Sequence, residues 1–373
     1  MKKKAGETSL ITKLLLQGTQ IRTAKEIAGQ TDFNGVELIT DVKQDYMKIK
    51  ALFLNDDIDF ALEIMSDVIQ NSTFENFEKE VNKLKGEIMS ELDSAKTKAL
   101  DNLIKTLYEN HPYGNAFTRV LDDIDNISKD EIKNLYYENL KAQNCIISIV
   151  GDLGEEKAKE LLEKYFAQIP SGRTDKNTKT IDALNTQKTV TIKKEDVAQA
   201  QILKAWVLPG LDNQDIPALM VLNSILGSCG LSSRLFLELR EKKGLAYVVR
   251  SSLDIMKLAS TFSLYIASEP KNIQVALDGF TTEVEKLKET PVSEEELQSA
   301  KNNILGKRAY LHETNSQQSH YLGYYELMGK GAGYDQEIEN EIQNVTPQDI
   351  KEAAQKYLNE NFVVSLLAPE RFL

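Results

Sequence analysis

Histidine is scarce in this chain: 373 residues contain only His111, His312 and His320. A zinc centre built on imidazole would have to draw on those three, and no two of them stand four apart on one helical face. His312 and His320 are eight apart, too far to reach one ion directly, and His111 lies in the turn-like run His111-Pro112-Tyr113-Gly114. Cysteine is scarcer still. Cys145 and Cys229 sit in different halves, which excludes a disulfide framework and a CxxC metal site and leaves buried, reduced thiols as the reading. Positive charge is in deficit, 45 Lys and Arg against 57 Asp and Glu for a net charge of -12, which argues against nucleic acid and anionic membranes as partners. An extended peptide remains electrostatically acceptable. Long apolar runs are missing too: Cys145 to Val150 and Phe362 to Ala368 fall far short of the roughly 20 residues of a membrane-spanning helix. The start, Met1-Lys2-Lys3-Lys4, is basic, but Leu14-Leu15-Leu16 is too short for a signal-peptide core, so the expected location is the cytoplasm.

What is present is enough apolar material, 41% of residues, for two cores rather than one. A polar stretch, 172–188, separates halves of similar length, giving expected domains 1–171 and 189–373 joined by a linker. The halves end alike. Ser128 with Glu131 opens a helical stretch to Leu140 that leads to the strand-like Cys145 to Val150. Thr346 with Asp349, and Pro347 in the first turn, opens one to Leu358 that leads to the strand-like Phe362 to Leu367. Similarly, the runs Asp57 to Leu62 and Asn272 to Leu277 each lead into an amphipathic helix and then a longer one. Those longer helices are expected to start at Ser72 with Glu75, carrying Phe77, Val81, Leu84, Ile88 and Leu92, and at Ser293 with Glu296. Strands are expected over Gly35 to Ile39, Tyr46 to Leu54, Thr189 to Ile192, Ala198 to Val207 and Ser260 to Ala267. Clustered strands and paired helices predict an α+β fold: two homologous domains, each an antiparallel-rich sheet packed against helices.

Two segments carry a family resemblance. One is Leu14-Leu15-Leu16-Gln17-Gly18-Thr19 with Thr23-Ala24-Lys25-Glu26-Ile27 and Asn34-Gly35-Val36; the other runs Ser233-Arg234-Leu235-Phe236-Leu237-Glu238-Leu239-Arg240-Glu241-Lys242-Lys243-Gly244-Leu245-Ala246-Tyr247. Together with nearly the whole chain from about Gly6 onward, they resemble the pitrilysin-like (insulinase-type) zinc peptidases. In active members an H-x-x-E-H helix places two histidines on zinc and a glutamate as general base. The corresponding stretch here is Ser9-Leu10-Ile11-Thr12-Lys13, with Ser9, Thr12 and Lys13 at the three positions. The family's later glutamate ligand corresponds to Glu87, with Glu80 about two turns back on the same face. The favoured reading of that pair is a solvated helix face rich in glutamate. Two carboxylates alone make a poor zinc site, so no metal is expected on this chain.

Arg240 and Tyr247 match the family's arginine and tyrosine that hydrogen-bond the substrate near the scissile carbonyl; both are donors suited to developing negative charge. The alternative is a surface helix charge and a packed strand tyrosine. The glycine-containing Gly227 to Ser233 turn resembles the family's flexible connection to that helix, and no Lys-Ser/Thr follows it as a phosphate loop requires. Relative to the family, about 30 to 40 residues that would supply the first strands of the first-half sheet are absent, so the first domain is expected to be N-terminally truncated, whether through a truncated gene model, a fragment or a sheet with an uncovered edge. The resemblance implies a zinc-free subunit paired with a homologous zinc-bearing subunit that acts on peptide substrates, the partner providing metal and base. The competing readings are a peptide-binding or scaffold homologue and, third, an independent zinc peptidase.

Overall fold

The computed structural model describes residues 4–174, 181 and 184–373. Its first half runs α1 (Glu7–Leu14), α2 (Ala24–Phe33), β1 (Glu37–Val42), β2 (Met47–Leu52), α3 (Ile58–Asn71), α4 (Phe77–Asp93), α5 (Ala95–Leu107), α6 (Phe117–Asp123), α7 (Lys129–Asn139) and α8 (Glu155–Phe166). The second half runs β3 (Lys188–Lys193), β4 (Ala200–Pro209), α9 (Ile216–Asn223), β5 (Ala246–Ile255), β6 (Ala259–Ser268), α10 (Ile273–Glu289), α11 (Glu294–Tyr310), α12 (Asn315–Leu327), α13 (Tyr334–Asn344), α14 (Pro347–Tyr357) and β7 (Val363–Ala368). The fold is α+β, with sheets packed against helices. Contacts gather these elements into two compact units, one holding residues 4–89, 118–174 and 312–332, the other 90–117, 181, 184–311 and 333–373. Each unit therefore takes a helix from the opposite half: α12 belongs to the first and α5 to the second. Of the expected linker, 172–188, residues 175–180 with 182 and 183 lie outside the described residues.

The second unit is built on a five-stranded sheet in the order β3-β7-β4-β6-β5, antiparallel except where β3 runs parallel to β7. The central strand β4 reads Ala-Gln-Ile-Leu-Lys-Ala-Trp-Val-Leu-Pro and is buried along almost its whole length, which explains its near-continuous apolar character. Helix α5 covers one face: Ala99, Leu103 and Leu107 pack with Leu203, Ala205, Tyr265, Val363 and Leu367 in one core cluster. The Ser365 hydroxyl donates to the Ala99 carbonyl at 2.8 Å. Two caps expected from sequence form as read, Thr346 with Asp349 as a reciprocal box before α14 and Ser293 accepting from the Glu296 amide before α11.

The first unit holds a two-stranded sheet, β1 antiparallel to β2, with Thr40 opposite Ile49. Two expectations fail here. Helix α4 begins at Phe77, not at Ser72, because Phe74 and Asn76 take left-handed backbone conformations (φ 55° and 56°). That kink drives Phe74 into full burial against Tyr136 and Tyr137, with ring centroids 5.5 and 6.2 Å away, and the aromatic burial outweighs the capping box. The second failure is Cys145 to Val150, which forms no strand. Its apolar character is the signature of a strand, but a strand exists only through pairing, and no described strand lies beside it.

Candidate functional site

Arg240 and Tyr247 are brought together by a chain of tight packing contacts. Helix α9 continues into a π-helical turn, Ser224–Ser228, that lies directly on β5. Gly227 makes that approach possible, since a Cβ there would stand 2.3 Å from the Ser251 amide nitrogen. The Ser251 hydroxyl donates to the Asn223 side-chain oxygen at 2.6 Å and tightens the same contact. Beyond the turn, Arg234 forms a two-pronged pair with Glu296 of α11, both N···O distances 2.7 Å, on a guanidinium that keeps its charge more firmly than usual because of that carboxylate. The chain then enters a second π-helical segment, Phe236–Lys242, whose buried Leu239 occupies the space left by the missing side chain of Gly279 on α10.

This segment aims Arg240 at the start of β5. Gly244, in the left-handed region at φ 62°, ends it, with its amide donating to the Arg240 carbonyl at 3.0 Å. Strand β5 then opens with a bulge: Ala246 pairs with Ser268 and Val248 with Ala267, so Tyr247 is the extra residue between them. A bulge re-aims a side chain, and Tyr247 is 75% exposed although it sits within a strand. An Arg240 Nη1 donates to the Tyr247 carbonyl at 2.8 Å, and the guanidinium lies between two rings, 4.8 Å from the centroid of Phe236 and 4.7 Å from that of Tyr247. Among the described residues, the Tyr247 hydroxyl and the other Arg240 N–H groups meet no further partner. The result is two donors side by side, Arg240 from the helical segment and an outward-facing Tyr247 from the edge strand. Phe236 was not singled out from sequence, although its place four residues before Arg240 puts it on the same helical face.

The second cluster joins α1 to α4. Lys13 and Glu87 form an ion pair at 2.6 Å, with the two side chains 24% and 46% exposed. Thr12 is buried and donates its hydroxyl to the Ser9 carbonyl at 2.9 Å, a bond internal to the helix. Glu80, seven residues before Glu87 on α4, is 3% exposed and not on a solvated face. The positions that the resemblance assigned to metal ligands on α1 and α4 are thus adjacent in space. Their chemistry does not fit zinc: an ammonium faces the Glu87 carboxylate and the remaining groups are hydroxyls. Among the described residues, no three His, Cys, Asp or Glu side chains are grouped to hold a metal ion.

The histidines serve other ends. His111 is buried, accepts from the Tyr113 amide through Nδ1 at 3.2 Å and stacks edge-on with Tyr113 at 4.5 Å. His320 packs among Tyr46, Tyr321 and Tyr324, and burial together with the positive field of Lys48, Lys43 and Lys50 holds its pKa below the ordinary value. No helix among the described residues is long and apolar enough to cross a membrane.

Comparison with known proteins adds to this geometry. Residues 1–119 match a family model described as Insulinase (Peptidase family M16), and residues 126–304 match one described as Peptidase M16 inactive domain. The chain is similar to an uncharacterized zinc protease of Mycobacterium leprae, 26% identical over 98% of this chain and 83% of that protein. It is equally similar to one of Bacillus subtilis, 26% identical over 98% and 88%. Among solved structures, a protease from Helicobacter pylori superimposes with a TM-score of 0.90 at 21% identity, covering 98% of this chain and 90% of that one. A peptidase M16 inactive domain from Pseudomonas fluorescens gives 0.85 at 21%, over 98% and 91%. At these identities the structures speak to fold alone.

Proposed function

Because the chain belongs to the peptidase M16 (insulinase/pitrilysin) family, we propose that it is the zinc-free subunit of a heteromeric peptidase, using Arg240 and Tyr247 on peptide substrates held with a homologous zinc-bearing partner. The observation that carries the reading is the pairing of the two clusters' chemistry. The donor pair is kept and held by a bulge, two stacked rings and a glycine-mediated helix contact, while the α1–α4 cluster has an ammonium where a ligand would be. An ion pair of Lys13 with Glu87 satisfies the carboxylate that a metal would otherwise neutralise.

In this reading the partner supplies zinc and general base, and this chain supplies hydrogen bonds. Arg240 donates to a backbone carbonyl of the peptide near the scissile bond. The Tyr247 hydroxyl donates to the carbonyl oxygen as water attacks, where its interaction strengthens as charge develops. Stacking on the Tyr247 and Phe236 rings limits the orientations open to the guanidinium, so less of its ordering has to be done in the reaction itself.

The test is turnover of short, unstructured peptides by this chain alone, by a zinc-bearing M16 homologue from the same genome alone, and by the two mixed. The proposal expects turnover that rises in the mixture far above the sum of the separate rates. A chain that cleaves peptides unaided would overturn it, and one that binds peptides without changing the partner's rate would place it among binding proteins.

A further inference from the structure

Three sources of positive potential meet at one tyrosine of the second unit. Tyr265, on β6, is 8% exposed, belongs to the core cluster beneath α5 and donates its hydroxyl to the Gln201 side-chain oxygen at 2.8 Å, so its ring is fixed in place. Lys96 reaches it from the first turn of α5, with its ammonium 5.1 Å from the ring centroid. Arg250 reaches it from β5, where it stands opposite Tyr265 in the antiparallel register, with its guanidinium 5.8 Å from the centroid. The third source is α5 itself. Its N-terminus, capped by Ser94 accepting from the Thr97 amide, is the positive end of the helix dipole, and its first turn holds no acidic residue to meet that charge.

Both cations are exposed, and among the described residues neither forms an ion pair. Asp254, four residues further along β5, feels the field of Arg250 without pairing with it. Burial and the charge of Arg250 both act against the Lys96 ammonium and lower its pKa. Like charges gathered on one ring repel, and the negative face of the ring offsets this only in part. A ligand carboxylate would bring two acceptor oxygens to two cations and relieve their repulsion at the same time.

We propose that Lys96 and Arg250 form a subsite for a peptide carboxylate, an acidic side chain or a C-terminus, about three residues from the carbonyl that Arg240 and Tyr247 hold. The inference rests on the reading of Arg240 and Tyr247 as peptide-positioning donors. The spacing comes from β5. Arg250 is three residues beyond Tyr247 on that strand, about 10 Å at the rise of a strand, and an extended peptide covers the same distance in about three residues. Between them Val248, two residues before Arg250 and so on the same face of β5, is 39% exposed. The intervening stretch of peptide therefore meets an apolar side chain and no competing charge. The subsite makes Lys96 and Arg250 specificity-determining residues that select an acidic group on the substrate.

The probe is a set of short peptides of neutral sequence, amidated at the C-terminus and bearing an uncharged fluorophore, in which one Glu or its Gln counterpart is moved along the chain. A further member has no Glu and a free C-terminal carboxylate. Binding to the 373-residue chain alone is read by anisotropy at low ionic strength. The expected result is about tenfold tighter binding of Glu than of Gln at one or two adjacent positions, or of the free acid than of the amide, the first assigning the carboxylate to a side chain and the second to the peptide end. That advantage should vanish in the double variant Lys96→Gln, Arg250→Gln and at high salt, and persist in Lys98→Gln, which removes a charge from the same helix. No advantage for any carboxylate, an advantage that survives the double variant, one that Lys98→Gln abolishes as fully, or no peptide binding at all would overturn the proposal. Turnover is not involved, so the two readings fail separately: a carboxylate advantage beside a mixed-subunit rate indifferent to Arg240 and Tyr247 would remove the donor reading and leave the carboxylate site.

Discussion

Replacing Lys204 with Met should flatten the pH dependence of stability between about pH 8 and 10.5. Lys204 lies on the buried strand β4, 6% exposed, with its ammonium 3.9 Å above the Phe362 ring, 5.3 Å from the Trp206 ring and within 3.2 Å of the Thr281 hydroxyl. Among the described residues no carboxylate pairs with it. Burial, reinforced by Lys288 and only partly offset by Glu285, pushes its pKa down to about 8 from the ordinary 10.5. The folded-state pKa is the lower one, so below about pH 8 the lysine is charged in both states and the cost of burying the charge is fully present. From there to about pH 10.5 the unfolded chain binds the extra proton, and stability rises with pH. At 1.36 kcal/mol per pH unit the full effect is about 3 kcal/mol, which partial solvent screening reduces to about 1–2 kcal/mol. The ring contacts offset part of it at neutral pH, so the informative quantity is the change in the wild-type-to-variant gap. Urea unfolding of wild type and Lys204→Met at pH 7, 8, 9 and 10 measures it, with titrations common to both cancelling in the difference. The wild type should gain about 1–2 kcal/mol on the variant across that range. Parallel curves would refute the assignment of a depressed pKa to a buried ammonium.

Other consequences can be measured directly. Gly227→Ala should cost about 1–3 kcal/mol in thermal or urea unfolding, because its Cβ must push the π-helical turn away from Ser251 on β5. The combined variant Ser9→His, Thr12→Glu, Lys13→His should bind about one zinc per chain through dialysis and lose it again with Glu87→Ala, because Glu87 already reaches position 13. Atomic emission on the purified proteins reads this, and a triple variant without zinc would show that the α1–α4 geometry no longer matches a metal site.

Much of this architecture was legible because local chemistry and tertiary context agree. Capping boxes at Ser128 and Thr346, the apolar runs of β4, β6 and β7, and the three-to-four spacing of α4 each state locally what the fold uses. Failure came where a distant contact decides. Ser72 and Glu75 spell a helix start, yet the burial of Phe74 between Tyr136 and Tyr137 overrides it. Cys145 to Val150 spells a strand, and strand formation depends on a neighbour no local pattern can specify. At the candidate site, the spacing of Arg240 and Tyr247 was visible in the signature run. The bulge that turns Tyr247 outward was not, because it arises from pairing with β6. The ion pair of Lys13 with Glu87 was half legible: the sequence places an ammonium at a ligand position, and only the packing of α1 on α4 reveals the partner it meets.

The most direct test of the account is the turnover number of the mixed subunits when this chain carries Tyr247→Phe or Arg240→Ala. Tyr247→Phe keeps the ring over the guanidinium and removes only the hydroxyl, so the folded chain should be unaffected and a rate loss is attributable to the donor. The account predicts a fall in kcat of about 10²-fold for Tyr247→Phe, the scale for losing one donor to a developing oxyanion, and a fall in kcat/KM for Arg240→Ala, whose donor holds the peptide, with assembly of the two subunits unchanged. Turnover by the mixture equal to that with the wild-type chain would contradict it.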